Sequence, residues 1–172
     1  MPKHRYSLDH FLALESDLKK LARYIEFSPD NYSTYSLELT RLLLATGSEI
    51  DVACKELCLL INPESKASSI DKYKPIILPR FPEILSQQVN CRRFRLDFFP
   101  WKDWSKKRPV WWTAYNHVKH DRLKIYRDAN LGNVLNAVAG LGIIMQYFGD
   151  FVSENFAGDL FNHNLKIQIF KK

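Results

Sequence analysis

Residues 129–149, ANLGNVLNAVAGLGIIMQYFG, contain no charged side chain, and the reading of this stretch decides the fold. An apolar run of about 20 residues is long enough to cross a bilayer. Asn130, Asn133, Asn136 and Gln146 interrupt it, however, and each carboxamide is costly in hydrocarbon. A helix buried at the centre of a bundle accounts for the same pattern without that cost. The stretch is therefore expected to be a core helix, over about 129–151, and no membrane partner is expected. Gly132, Asn136 and Gly140 fall four apart on one face, which allows another helix to approach closely.

The segments around it repeat at helical spacing. Leu8, Phe11, Leu12, Leu18, Leu21, Ala22 and Ile25 mark an amphipathic helix over about 7–26, closed by the turn cluster Ser28-Pro29-Asp30-Asn31. A second helix, about 32–61, carries Leu39, Leu42, Leu43, Ile50, Ala53, Cys54, Leu57 and Ile61, and Asn62-Pro63 stops it. Gly47 sits inside this helix at a cost of about 1 kcal/mol, which a close packing neighbour would explain. A short helix near 69–78 falls in a proline-rich crossover too apolar to be a linker. A further helix spans about 109–123, with Pro109 suited to its first turn. Phe94, Leu96 and Phe98 alternate with Arg93, Arg95 and Asp97, predicting one strand over 91–98. Leu165, Ile167 and Ile169 alternate likewise and offer it an antiparallel partner. The fold class is mainly α: a single domain over 1–172, a four-helix bundle with a small two-stranded β appendage.

Composition sets the class. The chain has 172 residues, 46% hydrophobic and 26% charged, which excludes disorder as its main state and suits one domain with a real core. Three cysteines, with no apolar leader behind the basic start, point to a reducing, cytoplasmic setting. The net charge of +6 is regional. Residues 90–127 hold eleven Lys or Arg against three Asp, a surplus of +8, while fourteen cations face sixteen acids elsewhere. Such a concentration favours a surface that meets a polyanion, against the plainer reading of a solvated face.

Chemistry concentrates in Trp111-Trp112-Thr113-Ala114-Tyr115-Asn116-His117-Val118-Lys119-His120-Asp121-Arg122. On a helix Asn116 and His120 share a face one turn apart, with Lys119 beside them. A carboxamide, an imidazole and an ammonium on one patch can bind a phosphate and move a proton, His120 as the proton carrier and Lys119 steadying phosphorane charge. The plainer reading is an amphipathic helix whose histidine bonds a neighbour.

Tyr115 to His120 resembles the signature of the HEPN superfamily (higher eukaryotes and prokaryotes nucleotide-binding), four-helix bundles whose third core helix bears an Arg, commonly an Asn, three variable residues and a His. Asn116 and His120 match the polar and histidine positions, and Tyr115 stands where the family has arginine. The resemblance covers roughly residues 37–148. It implies RNA as partner, a homodimer with opposed His120 faces, and metal-independent ribonuclease activity in a toxin or phage-defence system, with an antitoxin as a further partner. Tyr115 puts cleavage in question, and Lys119 or Arg122 is then the nearest replacement cation. Arg5 and His10 satisfy the bare spacing, but at the start of the first helix, as loose patterns do by chance.

The remaining candidates are binders. Seven basic residues from Arg92 to Arg108 interleave with Phe94, Phe98, Phe99, Trp101 and Trp104. Trp104, beside Lys106 and Lys107, is the expected exposed stacking residue; Trp111 and Trp112 are expected in the core. Arg108, Lys107, Lys106, Arg122 and Tyr115 complete the expected RNA-contacting set. Glu49 is a candidate to orient His120, although Glu49, Asp51 and Lys55 read more simply as a solvated side. His117 with His120, and Cys54 with Cys58, lack the spacing of a zinc motif, so neither a metal nor another cofactor is expected. Two other functions compete: a non-catalytic dimerisation or protein-binding module, favoured by Tyr115, and a binder of small anionic nucleotides.

Overall fold

The computed structural model describes residues 3–121 and 124–155, with side chains over 8–121 and 124–149. Five helices form: α1 (Lys3–Leu21), α2 (Leu37–Ile61), α3 (Ile70–Arg80), α4 (Val110–Asp121) and α5 (Leu131–Asn155). Two short antiparallel strands, β1 (Val89–Cys91) and β2 (Leu96–Phe98), pair Val89 with Phe98 and Cys91 with Leu96. The architecture is thus mainly helical with a small β element.

The centre is the α2–α5 pair, the most extensive helix contact among the described residues, with α1, α3 and α4 packed around it. The uncharged run is buried: Leu131, Val134, Leu135, Ala137, Val138, Leu141, Ile143, Ile144 and Phe148 all lie inside, and only Gln146 faces out fully. Each large apolar side chain so buried contributes about 1.5–3 kcal/mol, so this helix anchors the fold. It is the one described helix long and apolar enough to cross a membrane, and most of it is enclosed by the protein itself.

The small face of α5 is filled by rings rather than by another helix backbone. Trp101 and Trp111 lie over Gly140, where a β carbon would stand 3.2 Å from the Trp111 ring, and Trp101 Nε1 donates to the Gly140 carbonyl at 3.1 Å. Tyr32 covers Gly132 in the same way.

Two elements depart most from expectation. The second helix begins at Leu37, not near residue 32, because Ser36 caps it through a bond from the Leu39 amide. The five residues before it are held elsewhere: the Leu131 amide donates to Thr34 and the Gly132 amide to Tyr32, closing the exposed start of α5. The expected single strand over 91–98 is instead a hairpin folded on itself, its turn made by residues 92–94 and by Arg95 in the left-handed region (φ 55°). Its proposed partner at 165–169 lies outside the described residues.

Candidate functional site

Helix α4 shows two faces. Trp111, Trp112, Ala114, Tyr115 and Val118 point inward, while His117, Lys119 and His120 are exposed and Asn116 is half-buried. At about 100° per residue, His120 lies about 40° round the helix from Asn116, on its outward side. The Asn116 amide nitrogen donates to the Trp112 carbonyl at 3.0 Å, which fixes the carboxamide on the surface and leaves its oxygen without a partner among the described residues. His117 turns away and meets Asp128 at 3.0 Å.

Tyr115 sets the depth of α4. Its ring lies flat on the α2 backbone at Gly47, where a β carbon would come within 2.3 Å of it. This is the close neighbour that the mid-helix glycine predicts, and it leaves the residue 4% exposed. Above the ring sits the Lys119 ammonium, 5.5 Å from the centroid, a cation–π contact. Lys119 has no carboxylate partner among the described residues, so its charge is available.

Beside this face opens a cleft of about 230 Å³ between α4, α2 and the start of α3. Arg108, Tyr115, Asn116 and Lys119 line it, with Ser68, Ser69 and Asp51 opposite. Arg108 is already engaged: its Nε donates to Asp71 Oδ2 at 3.0 Å, and the guanidinium holds the Asp71 carboxyl below the usual carboxylate range. Asp51 accepts a bond from the Tyr73 hydroxyl at 3.1 Å, and burial, helped by that carboxylate, pushes the Tyr73 hydroxyl up. The cleft therefore offers one free ammonium, one guanidinium shared with a carboxylate, and two serine hydroxyls. That set suits a single phosphate-sized anion, with Asp51 opposing it.

The residues expected from sequence separate into groups. Arg108, Tyr115, Asn116 and Lys119 come together in the cleft, and His120 stands on the adjoining outer face. Lys106 and Lys107 are exposed on the loop before α4, outside the cleft, and Lys107 leans to Asp103 at 3.6 Å. Arg122 lies outside the described residues.

Trp104 corrects the expectation of an exposed stacking residue. It is 1% exposed, its ring 4.6 Å from that of Trp101. The chain turns tightly there, the Trp104 amide donating to the Trp101 carbonyl, so the Trp104 ring packs on Trp101, which itself sits on α5 at Gly140, while the neighbouring lysines stay in water. Trp111 and Trp112 are core residues, as expected.

Glu49 is corrected too. It is 6% exposed, not on the solvated side, and its Oε2 meets His10 Nδ1 at 3.3 Å across the α1–α2 contact, so it does not orient His120. Asp51 is half-buried in the cleft wall and Lys55 is exposed. Cys54 and Cys58 are buried thiols; desolvation pushes Cys58 up to about 12 and Cys54 well above the ordinary thiol value. Among the described residues no group of His, Cys, Asp or Glu is placed to hold a metal.

Ser68, Ser69 and Asp71 were not anticipated as site residues. Ser-Ser-Ile-Asp reads only as the start of a helix, and nothing in the chain links residue 71 to residue 108. The chain matches no family model, no curated protein and no solved structure.

Proposed function

We propose that this chain is a HEPN-like helical bundle that binds single-stranded RNA along the outer face of α4. The observation that carries the reading is the placing of exposed Lys119 and His120 with half-buried Asn116 beside a cleft that also holds Arg108. Lys119 and Arg108 take a backbone phosphate in the cleft, with the Ser68 and Ser69 hydroxyls as further donors. A single strand suits the site because each phosphate is then accessible from one side.

Ribonuclease activity follows on the same geometry. His120 takes the proton of a ribose 2′-hydroxyl, the oxygen attacks the adjacent phosphorus, and the bond from phosphorus to the 5′-oxygen breaks. The products are a 2′,3′-cyclic phosphate and a 5′-hydroxyl, whose proton comes from a protonated imidazole of a second copy or from water. Lys119 stabilises the phosphorane, and no metal takes part. The test uses end-labelled single-stranded RNA and the wild-type protein beside His120→Ala. Expected are binding that weakens steeply as salt rises and cleavage that disappears in the variant with the helical circular-dichroism signal intact. Equal cleavage by both proteins would remove His120 from the mechanism.

A second reading is favoured by Tyr115. The ring that occupies the family's arginine position is sealed against Gly47 and supplies no cation. On this reading the bundle is a non-catalytic module that pairs with itself or with another protein. A stable dimer without RNA binding at low salt selects it.

A further inference from the structure

Tyr35, Tyr126 and Arg127 form a second polar–aromatic cluster next to α4. The Tyr35 side chain is 42% exposed. The Arg127 guanidinium stands 5.8 Å over its ring and Tyr126 meets it edge-on at 5.6 Å, interplanar angle 88°. Leu37, two residues on and the first residue of α2, is 75% exposed.

The backbone that carries this ring is tied down by hydrogen bonds. Tyr35 forms an antiparallel bridge with Asn130, and the Leu131 amide donates to the preceding Thr34 carbonyl at 2.9 Å. The short turn Tyr126–Asp128 is tied in turn to α4 through Asp128 and His117 at 3.0 Å, and to α5 through Asn133, whose amide donates to the Asp128 carbonyl at 2.9 Å. The ring, its cation and the face bearing His120 thus belong to one braced surface. Arg127 has no carboxylate partner among the described residues.

From this geometry we infer that Tyr35, with Arg127 and Tyr126, is a stacking shelf for an unpaired nucleobase. The inference rests on the RNA reading and supplies what buried Trp104 cannot. Pre-placed aromatic surface stacks a base with little ordering cost, and any base fits because each has a π face. An uncompensated cation within a segment of charge +8 favours a nucleotide over an apolar helix as the occupant.

The experiment compares wild type, Tyr35→Ala and Tyr35→Phe for binding to a ten-nucleotide single-stranded RNA and to inorganic polyphosphate. The shelf predicts that Tyr35→Ala weakens RNA binding roughly 5- to 150-fold, the range for loss of one stacked base. Polyphosphate binding stays unchanged, and Tyr35→Phe keeps wild-type RNA affinity. If wild type binds RNA and Tyr35→Ala binds it equally well, the shelf is wrong and the RNA reading stands. Equal weakening of both ligands also overturns the shelf, because the residue then acts through the fold. Failure of wild type to bind either polyanion at low salt removes the RNA reading and the shelf with it.

Discussion

Two aromatic side chains lie where their sequence surroundings do not put them. Trp104 is followed by Ser and two lysines and reads as exposed; it is buried because the four-residue turn Trp101–Trp104 packs its ring on that of Trp101. Tyr35 reads as part of a helix start, yet it faces solvent on a braced segment. Local charge tells which residues are wet on average, and backbone turns decide single cases. Gly47 was legible, since a glycine inside a long helix asks for a close neighbour, although its identity as Tyr115 was not. Adding one methyl group there drives a ring off the backbone or pushes α4 outward. Gly47→Ala is accordingly expected to destabilise the fold by about 1–3 kcal/mol despite its better helix propensity. Urea unfolding of the variant checks this, and a stability equal to or above wild type would refute the contact.

The helices could be read from periodicity because each repeats for three turns or more. The hairpin could not, because Phe94, Leu96 and Phe98 continue an alternating pattern straight through the bend, and Arg95, a non-glycine residue, adopts the left-handed conformation without advertising it. The cleft was equally hidden as a unit: one side of its wall comes from Arg108 and α4, whose residues sequence singles out, and the other from Asp51 of α2 and residues 68–70 at the start of α3, which no spacing connects to it. That junction governs how much charge the site presents. Asp71 both cancels Arg108 and fixes it, so Asp71→Asn is expected to strengthen polyanion binding several-fold at low salt and less at high salt. The exposed ion pair contributes at most about 1 kcal/mol, so stability should change little. Fluorescence anisotropy at two salt concentrations reads the first effect and thermal unfolding the second; unchanged affinity would mean that Arg108 does not meet the ligand.

Across the whole chain, the burial of α5 at the centre followed from one uncharged run, whereas its pairing with α2 did not, since contact between distant elements leaves no trace in local spacing. Ion pairs reinforce the packing from outside. Arg41 joins Glu38 on its own helix to Asp17 on α1, at 2.6 Å each, and holds both carboxyls below their ordinary values of 4.5 and 3.8. Groups with lowered native pKa stabilise fully above their unfolded values, and that contribution fades as pH falls through the native ones. Stability should therefore hold above about pH 5 and decline below about pH 4, and Arg41→Met should flatten that decline. Melting temperatures across pH 3–6 test it, and parallel profiles for the two proteins would deny the cluster its role. All four tryptophans lie within residues 101–112, Trp104 meeting Trp101, Trp101 meeting Trp111 and Trp111 meeting Trp112 at ring-centroid distances of 4.6, 5.0 and 5.9 Å. At such spacing excitation hops among the indoles before any photon leaves, so the chain's ultraviolet emission is a single shared lamp fixed in one corner. A titrant that dims it is acting on the loop and helix beside the cleft, while events at the far ends of the protein pass unseen in that light.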